Sequence, residues 1–287
     1  MSFLDRVRKL PRLGIGVSTE YGARSTPGAL DPLELRARHP HFAAFLEVGL
    51  ETAKGLDDDT RAWALKRLPT TYHFLDVNLD EPEDFDEAWL NDVRSAVRAL
   101  RPAWLCGDAG LWHFGPRERG HMLLLPPVLT ADAVGPMAAG IVRLREATRL
   151  EVLPENPPGH AFLGDLHLLD FFGRLAEAAD TGLLLDCAHL AIYQQLTGRQ
   201  PLDGLDGFPL DRVVELHVAG ATRHEHEGLA LLEDSHTPEP AEETWRIFDH
   251  VAARAKNLKA VVFECEKNPL DECLPGFARI QQGWRKA

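Results

Sequence analysis

The sequence lacks the features that mark a secreted, membrane-spanning or nucleic-acid-binding protein. Its apolar runs all fall short of the ~18 residues that a membrane-spanning helix needs. The basic start, MSFLDRVRKLPRLG, is not followed by an apolar stretch, so we do not expect a secretory signal. Lysine and arginine number 31 against 44 aspartates and glutamates, which leaves a net charge of −13. That balance argues against a nucleic-acid partner and against binding to an anionic membrane surface.

Cysteine is scarce, with four residues and no CxxC spacing. Cys106, Cys187 and Cys265 fall in segments that are predicted as apolar strands, which favours reduced core thiols over a disulfide framework. The sequence also has no internal repeat, low-complexity segment or linker. We therefore expect a soluble, cytoplasmic, single-domain protein, with a leader at 1–12, the body of the domain at 13–270 and a C-terminal helix or tail at 271–287.

Eight short apolar segments alternate with helical patterns along the chain. The predicted strands are 14–18, 41–48, 70–75, 103–108, 149–155, 182–189, 213–220 and 260–266. Helices are predicted at 57–67, 83–100, 130–148, 167–179 and 241–255, and a loop at 111–129. Strand–helix alternation implies parallel pairing, and eight units imply an α/β fold with a single (β/α)8 TIM barrel.

Side chains that can bind metal lie at the ends of most of these predicted strands. The carboxyl ends of the strands surround the active site in such barrels. A polar loop after the seventh strand is predicted to bring two further candidates, Asp234 and His236, to the same place. The candidates in chain order are Glu47, His73, Asp108, Glu155, Asp186, His189, His217, Asp234, His236, Glu264 and Glu266. So many carboxylates would repel one another unless cations offset their charge.

The ligand types indicate which metals would suit this site. Imidazole and carboxylate without an evident thiolate favour iron, manganese or zinc over magnesium or calcium. The candidates exceed the roughly three protein ligands of a catalytic zinc, so we predict two or three ions that share carboxylates. A solvated acidic mouth without metal is the simpler alternative. The run from His224 to Glu227 has ligand chemistry but is predicted to be a solvated segment.

Five short motifs carry a resemblance to a known family. They are Glu155-Asn156-Pro157, Leu183-Leu184-Leu185-Asp186, Glu215-Leu216-His217-Val218-Ala219-Gly220, Asp234-Ser235-His236-Thr237-Pro238 and Phe263-Glu264. They occur in family order, and the similarity runs from Gly14 to about Pro269. On these motifs the chain resembles the multinuclear non-heme iron-dependent oxidative enzymes, the group that includes the methanobactin and thiaglutamate biosynthesis barrels.

The resemblance implies an iron-dependent oxidase. Members hold two or three irons, as Fe2+ or Fe3+, and use O2 to modify a cysteine, aspartate or asparagine of a ribosomally made precursor peptide. They usually act with a small partner protein that binds the leader of the peptide. The implied metal ligands are His73, Glu155, Asp186, His189, His217, Asp234, His236 and Glu264. The residues predicted to be catalytic are Asp108, His189 and Glu264.

Two departures from the family pattern keep other functions open. Relatives commonly have Ser-Asp-His after the fourth strand, where this chain has Gly107-Asp108-Ala109, so Asp108 or His113 is a candidate substitute ligand. Gly49 stands where relatives have a histidine after the second strand. One alternative is a divalent-metal hydrolase or isomerase similar to the xylose-isomerase and endonuclease-IV barrels. Another is a non-catalytic barrel that has lost a metal.

Overall fold

The computed structural model describes residues 2–19, 26–115, 119, 123–226 and 229–284. These residues contain nine strands and nine α-helices, joined by turns, loops and short 3-10 helices. The strands are β1 Gly14–Thr19, β2 Phe45–Leu50, β3 Thr70–Phe74, β4 Leu105–Asp108, β5 Val152–Glu155, β6 Leu183–Asp186, β7 Val213–His226, β8 Leu229–Thr237 and β9 Ala260–Glu264. The helices are α1 Phe3–Arg6, α2 Pro32–Arg38, α3 Asp58–Leu65, α4 Glu87–Leu100, α5 Ala131–Thr148, α6 Leu168–Ala178, α7 Cys187–Leu196, α8 Glu242–Ala252 and α9 Leu270–Trp284. None of these helices is long and apolar enough to cross a membrane.

Eight of the strands form a closed parallel barrel. Strands β1 to β7 pair in chain order, and β9 lies between β7 and β1, so the sheet has no open edge at this level. Helices lie between successive strands, as the alternation predicts. The predicted (β/α)8 TIM barrel is therefore confirmed. The ninth strand, β8, lies outside the barrel and pairs antiparallel with the extension of β7.

The two-residue period of the strands separates the barrel interior from the layer that contacts the helices. Alternate residues such as Leu46, Leu105 and Val261 belong to the large core between barrel and helices. Their neighbours point inward, and on five strands an apolar inward residue precedes a carboxylate by two positions. These pairs are Phe45 and Glu47, Cys106 and Asp108, Leu153 and Glu155, Leu184 and Asp186, and Val262 and Glu264. Since side chains two apart face the same side, the carboxylates all point into the barrel mouth.

Helix α1 closes the opposite, amino-terminal end of the barrel. Its Phe3 is fully buried among the inward apolar residues, and the nearby Gly182 leaves the space that the ring occupies. The Phe3 amide donates to the Asp180 carboxylate at 3.0 Å, and Arg6 Nε donates to Glu151 at 2.6 Å. Residues within the segment predicted as a leader thus complete the barrel core.

Three local predictions are wrong. The sixth strand ends at Asp186, not at His189, because the Asp186 carboxylate accepts the His189 amide at 2.5 Å and caps α7. Cys187 is therefore the first residue of a helix, and Cys265 follows β9; neither lies inside a strand. The polar loop after the seventh strand is a β-hairpin of β7 and β8. All four cysteines are free and buried, as expected of core thiols.

We predict that Phe3→Ala destabilises the fold by about 3–5 kcal/mol, because it leaves a cavity in the barrel floor. Urea unfolding measures the free energy. The matched control is Leu4→Ala on the same helix, whose side chain is 38% exposed and whose loss we expect to cost about 0.5 kcal/mol or less. Equal effects of the two substitutions would contradict the role of Phe3 as the barrel floor.

Candidate metal centre

A cavity of about 140 Å³ lies at the carboxyl end of the barrel. Eight of the predicted candidates line it: Glu47, His73, Asp108, Glu155, His189, Asp234, His236 and Glu264. Asp186 and His217 are fully buried and lie close to these lining residues. The fold therefore brings together the eight implied ligands and the predicted catalytic residue Asp108, whereas the candidate substitute His113 lies apart.

The candidate ligands form overlapping groups. In each of three groups made of predicted site residues, ligand atoms from three residues lie within 4.8 Å of one another, and two further groups both include Glu47. The groups are His73 with Asp108 and Glu155, Glu155 with Asp186 and His189, and Asp186 with His217 and Glu264. Glu155 and Asp186 each belong to two groups. A carboxylate with two oxygens in such a position can contact two ions, so the arrangement suits a multinuclear centre.

Two histidines are each fixed by an acceptor outside these groups. His189 Nδ1 lies 2.9 Å from the Asn156 carbonyl oxygen, and His236 Nδ1 lies 2.8 Å from Glu266 Oε1. Each Nδ1 can donate its proton there, which leaves Nε2 free to bind a metal. Both Nε2 atoms face the same oxygen, Asp234 Oδ2, at 3.2 and 3.1 Å. Asp234 therefore contacts both imidazoles through one carboxylate oxygen.

His73 and His217 lie deeper in the barrel, against the carboxylate of Glu155. His73 Nε2 is 2.8 Å from Glu155 Oε2, and His217 Nδ1 is 3.2 Å from Glu155 Oε1. His217 Nδ1 is also 3.3 Å from Glu264 Oε1, and its Nε2 is 2.9 Å from Glu47 Oε1. Neither nitrogen of His217 has the orientation of a hydrogen bond. These close approaches without hydrogen-bond geometry are typical of groups that converge on a cation.

An irregular end of the hairpin directs His236 into the cavity. Gly220 of β7 pairs with Thr237 and Ala221 pairs with Asp234, so Ser235 and His236 bulge out of the ladder. The backbone of His236 has a φ of +51°, which is unfavourable for a residue with a side chain. Such strain persists where the surroundings require one orientation, and it clusters at functional sites.

Buried polar atoms without a hydrogen-bond partner support a metal at this site. In the described residues, seven such atoms belong to the predicted ligands and catalytic groups: Asp108 Oδ1, Glu155 Oε1, Asp186 Oδ2, His217 Nδ1 and Nε2, Asp234 Oδ1 and Glu264 Oε2. Buried polar atoms are normally satisfied, and an ion is one explanation for an exception. The cluster also holds seven carboxyl groups, with Glu47 and Glu266 included, and four imidazoles. Even four imidazolium ions would leave an excess of negative charge.

The pKa shifts have opposite signs within this one cavity. Burial alone would lower the pKa of His73, but the Glu155 carboxylate outweighs it and raises this pKa to about 9. Burial raises the pKa of Asp186 to about 7. Burial also opposes ionisation of Glu155, yet His217 and His73 hold its pKa below the ordinary value. Protons on imidazole thus offset part of the carboxylate charge, and a bound metal would displace them.

Sequence reasoning missed one buried carboxyl below the centre. Glu215 lies two residues before His217 on β7, is fully buried and accepts Trp104 Nε1–H at 2.6 Å. Burial and the nearby Glu47 raise its pKa to about 8. Its place in the two-residue period of β7 is the signal that could have identified it. Glu47 was a strand-end candidate but not among the implied ligands, and it contacts His217 directly.

Two other histidine positions lie apart from the centre. His113 does not substitute for a missing ligand, because its Nε2 is 2.9 Å from buried Asp84 and its Nδ1 is 2.7 Å from the Gly115 carbonyl oxygen. His224 is exposed on the hairpin and pairs with Glu233 at 2.8 Å, in agreement with a solvated role. The side chain of His226, and residue 227, lie outside the described part of the chain.

Comparison with solved structures supports the fold alone. A xylose isomerase-like TIM barrel protein from Mycobacterium smegmatis, solved in complex with magnesium, superposes with a TM-score of 0.61 and 12% identity over 97% of each chain. Endonuclease IV from Thermus thermophilus gives a TM-score of 0.54 and 15% identity over 96% of this chain and all of that one. At these identities the likeness carries no information about the metal or the reaction.

Sequence comparison identifies the family. A UPF0276 protein of Rhizobium meliloti (strain 1021) is 28% identical over 225 residues, which are 76% of this chain and 72% of that protein. A UPF0276 protein of Caulobacter vibrioides (strain NA1000 / CB15N) is 23% identical over 274 residues, or 88% and 94% of the two chains. The family described as RiPP precursor modification enzyme MbnB/TglH/ChrH matches residues 32–284, a range that contains every candidate ligand. The chain therefore belongs to this family of enzymes that modify the precursors of ribosomally synthesised and post-translationally modified peptides.

Proposed function

We propose that this protein is a multinuclear iron-dependent oxidase that uses O2 to modify a cysteine, aspartate or asparagine of a precursor peptide. Membership of a family of precursor-modifying enzymes supports the peptide substrate. The observation that carries the metal chemistry is the overlap of the ligand groups at Glu155 and Asp186. The eight proposed ligands are imidazoles and carboxylates, which suit iron, and their number suits two or three ions. The one nearby sulfur, Cys106 Sγ, donates to Glu47 as a thiol whose pKa is raised by burial.

Eight residues are the proposed ligands, and two of them, His189 and Glu264, are also proposed catalytic groups. His73, Asp186 and His217 are deep ligands, whereas Asp234 and His236 come from the hairpin. Bound iron would supply a redox couple and an open coordination position for O2 or a substrate heteroatom. The protein holds the ligands in fixed orientations, as the Nδ1 contacts of His189 and His236 illustrate, and excludes water from the buried side of the cavity.

Three residues at the cavity surface are the proposed catalytic groups. Asp108, His189 and Glu264 all line the cavity and border its open space. Asp108 Oδ1 and Glu264 Oε2 have no hydrogen-bond partner, and burial raises the pKa of Asp108 well above its ordinary value. A carboxyl group in this position can hold a proton near a bound substrate and return it.

A small protein that binds the leader of the precursor is the proposed partner, and the cytoplasm is the proposed compartment. Four reduced, buried cysteines agree with a reducing compartment. The alternative function is a divalent-metal hydrolase or isomerase on the same barrel, supported only by the shared fold of the solved neighbours. The identity of the metal separates the two.

We predict that protein prepared without oxygen contains about two or three irons per chain, because the eight proposed ligands exceed the roughly three protein ligands that one catalytic metal takes. Elemental analysis gives the content, and a Mössbauer spectrum before and after exposure to O2 shows whether the iron is redox-active. Tightly bound zinc or manganese instead of iron, with activity indifferent to O2, would favour the hydrolase or isomerase. A protein without stoichiometric metal would contradict both functions.

We predict that Glu155→Gln or His217→Ala loses at least one iron per chain, because each substitution removes a ligand of the overlapping groups. Circular dichroism should show an intact barrel. The matched control is His224→Ala, an exposed histidine of the hairpin whose iron content should equal that of the parent protein. Full iron content in the Glu155 and His217 variants would show that the centre lies elsewhere.

We predict that Glu266→Gln weakens iron binding about 10- to 100-fold, although Glu266 is not an implied ligand, because the substitution weakens the hydrogen bond that orients His236. Competition with a chelator measures the affinity. Glu233→Gln is the matched control, since it alters the carboxylate that pairs with exposed His224 at the same 2.8 Å distance. An equal effect of both variants would refute the orienting role.

A further inference from the structure

A larger cavity of about 550 Å³ opens beside the metal centre. Its lining includes Leu124, Pro158 and Asp234, and the same three residues line the metal cavity. Asp234 also contacts two of the histidine ligands, so the cavity leads directly to the metal-binding side chains. A molecule that occupied this cavity would reach the centre without a rearrangement of the barrel.

The walls of this cavity are formed by runs of consecutive residues. One wall is residues 123–126, a second is residues 158–161, and a third is residues 232–234 of β8. Side chains alternate between the two faces of a strand, so three successive residues can line one cavity only if the strand presents its backbone edge. We name this cavity, bounded by residues 123–126, 158–161, 232–234 and Ile192, the β8 groove.

The β8 groove has an open strand edge. Within the chain as described, the ladder pairings of β8 all involve β7, which leaves its other edge without a strand neighbour. Unpaired N–H and C=O groups along such an edge are a template for an added strand. The groove is one place where this protein can accept an extended backbone.

Its chemistry is mainly apolar. Leu232 and Ile192 line the groove, and they also line a small cleft that continues beside it past Leu196. Leu125 and Leu196 are 43% and 39% exposed, although both are large apolar side chains. Exposed apolar groups next to a functional cavity mark a binding surface. Among the described residues, the lining offers Glu233 and Asp234 as its acidic groups and no lysine or arginine.

We propose that the precursor peptide binds in the β8 groove as an added β-strand, with apolar side chains next to the residue that is modified. The inference rests on the proposed function for its peptide substrate. Backbone hydrogen bonds to the edge of β8 would supply affinity, and Leu232, Ile192 and Leu125 would select apolar neighbours. Because β8 continues into Asp234 and His236, the strand that holds the peptide also fixes its distance from the metal ligands.

Three pools of acetylated, amidated heptapeptides test the proposal, with a central cysteine, aspartate or asparagine, each random at the other six positions. The iron-loaded full chain and the metal-free chain are incubated with each pool without O2, and retained peptides are identified by mass spectrometry. We expect apolar residues to be enriched on one side of the centre. Retained peptides without such enrichment, or no retained peptide with either form of the protein, would overturn the proposal.

Substitution of backbone amides in the best-retained peptide tests the added strand. Strand pairing uses the amides of alternate residues, so N-methylation should weaken binding about tenfold or more at every second position and little between. Leu232→Asp should weaken binding at least tenfold. Leu65→Asp, which changes an exposed side chain of α3, should leave binding unchanged. Uniform sensitivity of the amides, or equal effects of the two variants, would overturn the proposal.

The readout is binding and not turnover, so this result is separable from the proposed oxidase. If the metal-free chain selects apolar-flanked peptides but the protein takes up no iron, the groove stands and the oxidase fails. If iron and O2 reactivity are as proposed but Leu232→Asp binds the peptide normally, the oxidase stands and the groove fails. If a separate partner protein held the precursor by its leader, Leu232→Asp would likewise leave binding normal, and the groove would fail.

Discussion

The concentration of carboxylates in the barrel mouth is the constraint on which the rest of the structure depends. Seven carboxyl groups converge there with four imidazoles, at distances of 2.8 to 4.0 Å between oxygen and nitrogen. Such a cluster is costly to bury without cations. The closed barrel, the apolar layer two residues below the carboxylates and the Phe3 floor together hold it in place. Metal ions would supply the missing positive charge, and the same ions would supply the chemistry.

The hairpin of β7 and β8 connects this centre to the protein surface. The barrel strands carry ligands from below, whereas Asp234 and His236 reach the cavity from the side, through a bulge with a strained backbone at His236. The outer edge of the same strand borders the β8 groove. A peptide on that edge would therefore be positioned by the element that holds two of the ligands. Substrate specificity and metal binding would then share one structural element.

The family resemblance and the physical pattern of the strands make different contributions. The motifs suggest iron and a peptide substrate, and the match over residues 32–284 establishes the family. The orphaned buried atoms and the contacts that fix Nδ1 of His189 and His236 are independent of any relative. They indicate that this chain has a connected set of candidate ligands, although Ala109 and Gly49 stand where the family resemblance implies a histidine.

The barrel and most of the candidate metal centre could be predicted from the sequence. Short apolar runs that end in Asp, Glu or His specify parallel strands, and their two-residue period places side chains such as Glu155 on the inside whatever the details of packing. The exact end of a strand and the partners of individual histidines depend on contacts between residues distant in the chain, so they are evident only in the folded structure. Asp186 ends its strand by capping α7, the hairpin places His236 against Glu266, and Asp84 holds His113 away from the cavity. Those choices depend on partners that no local pattern contains.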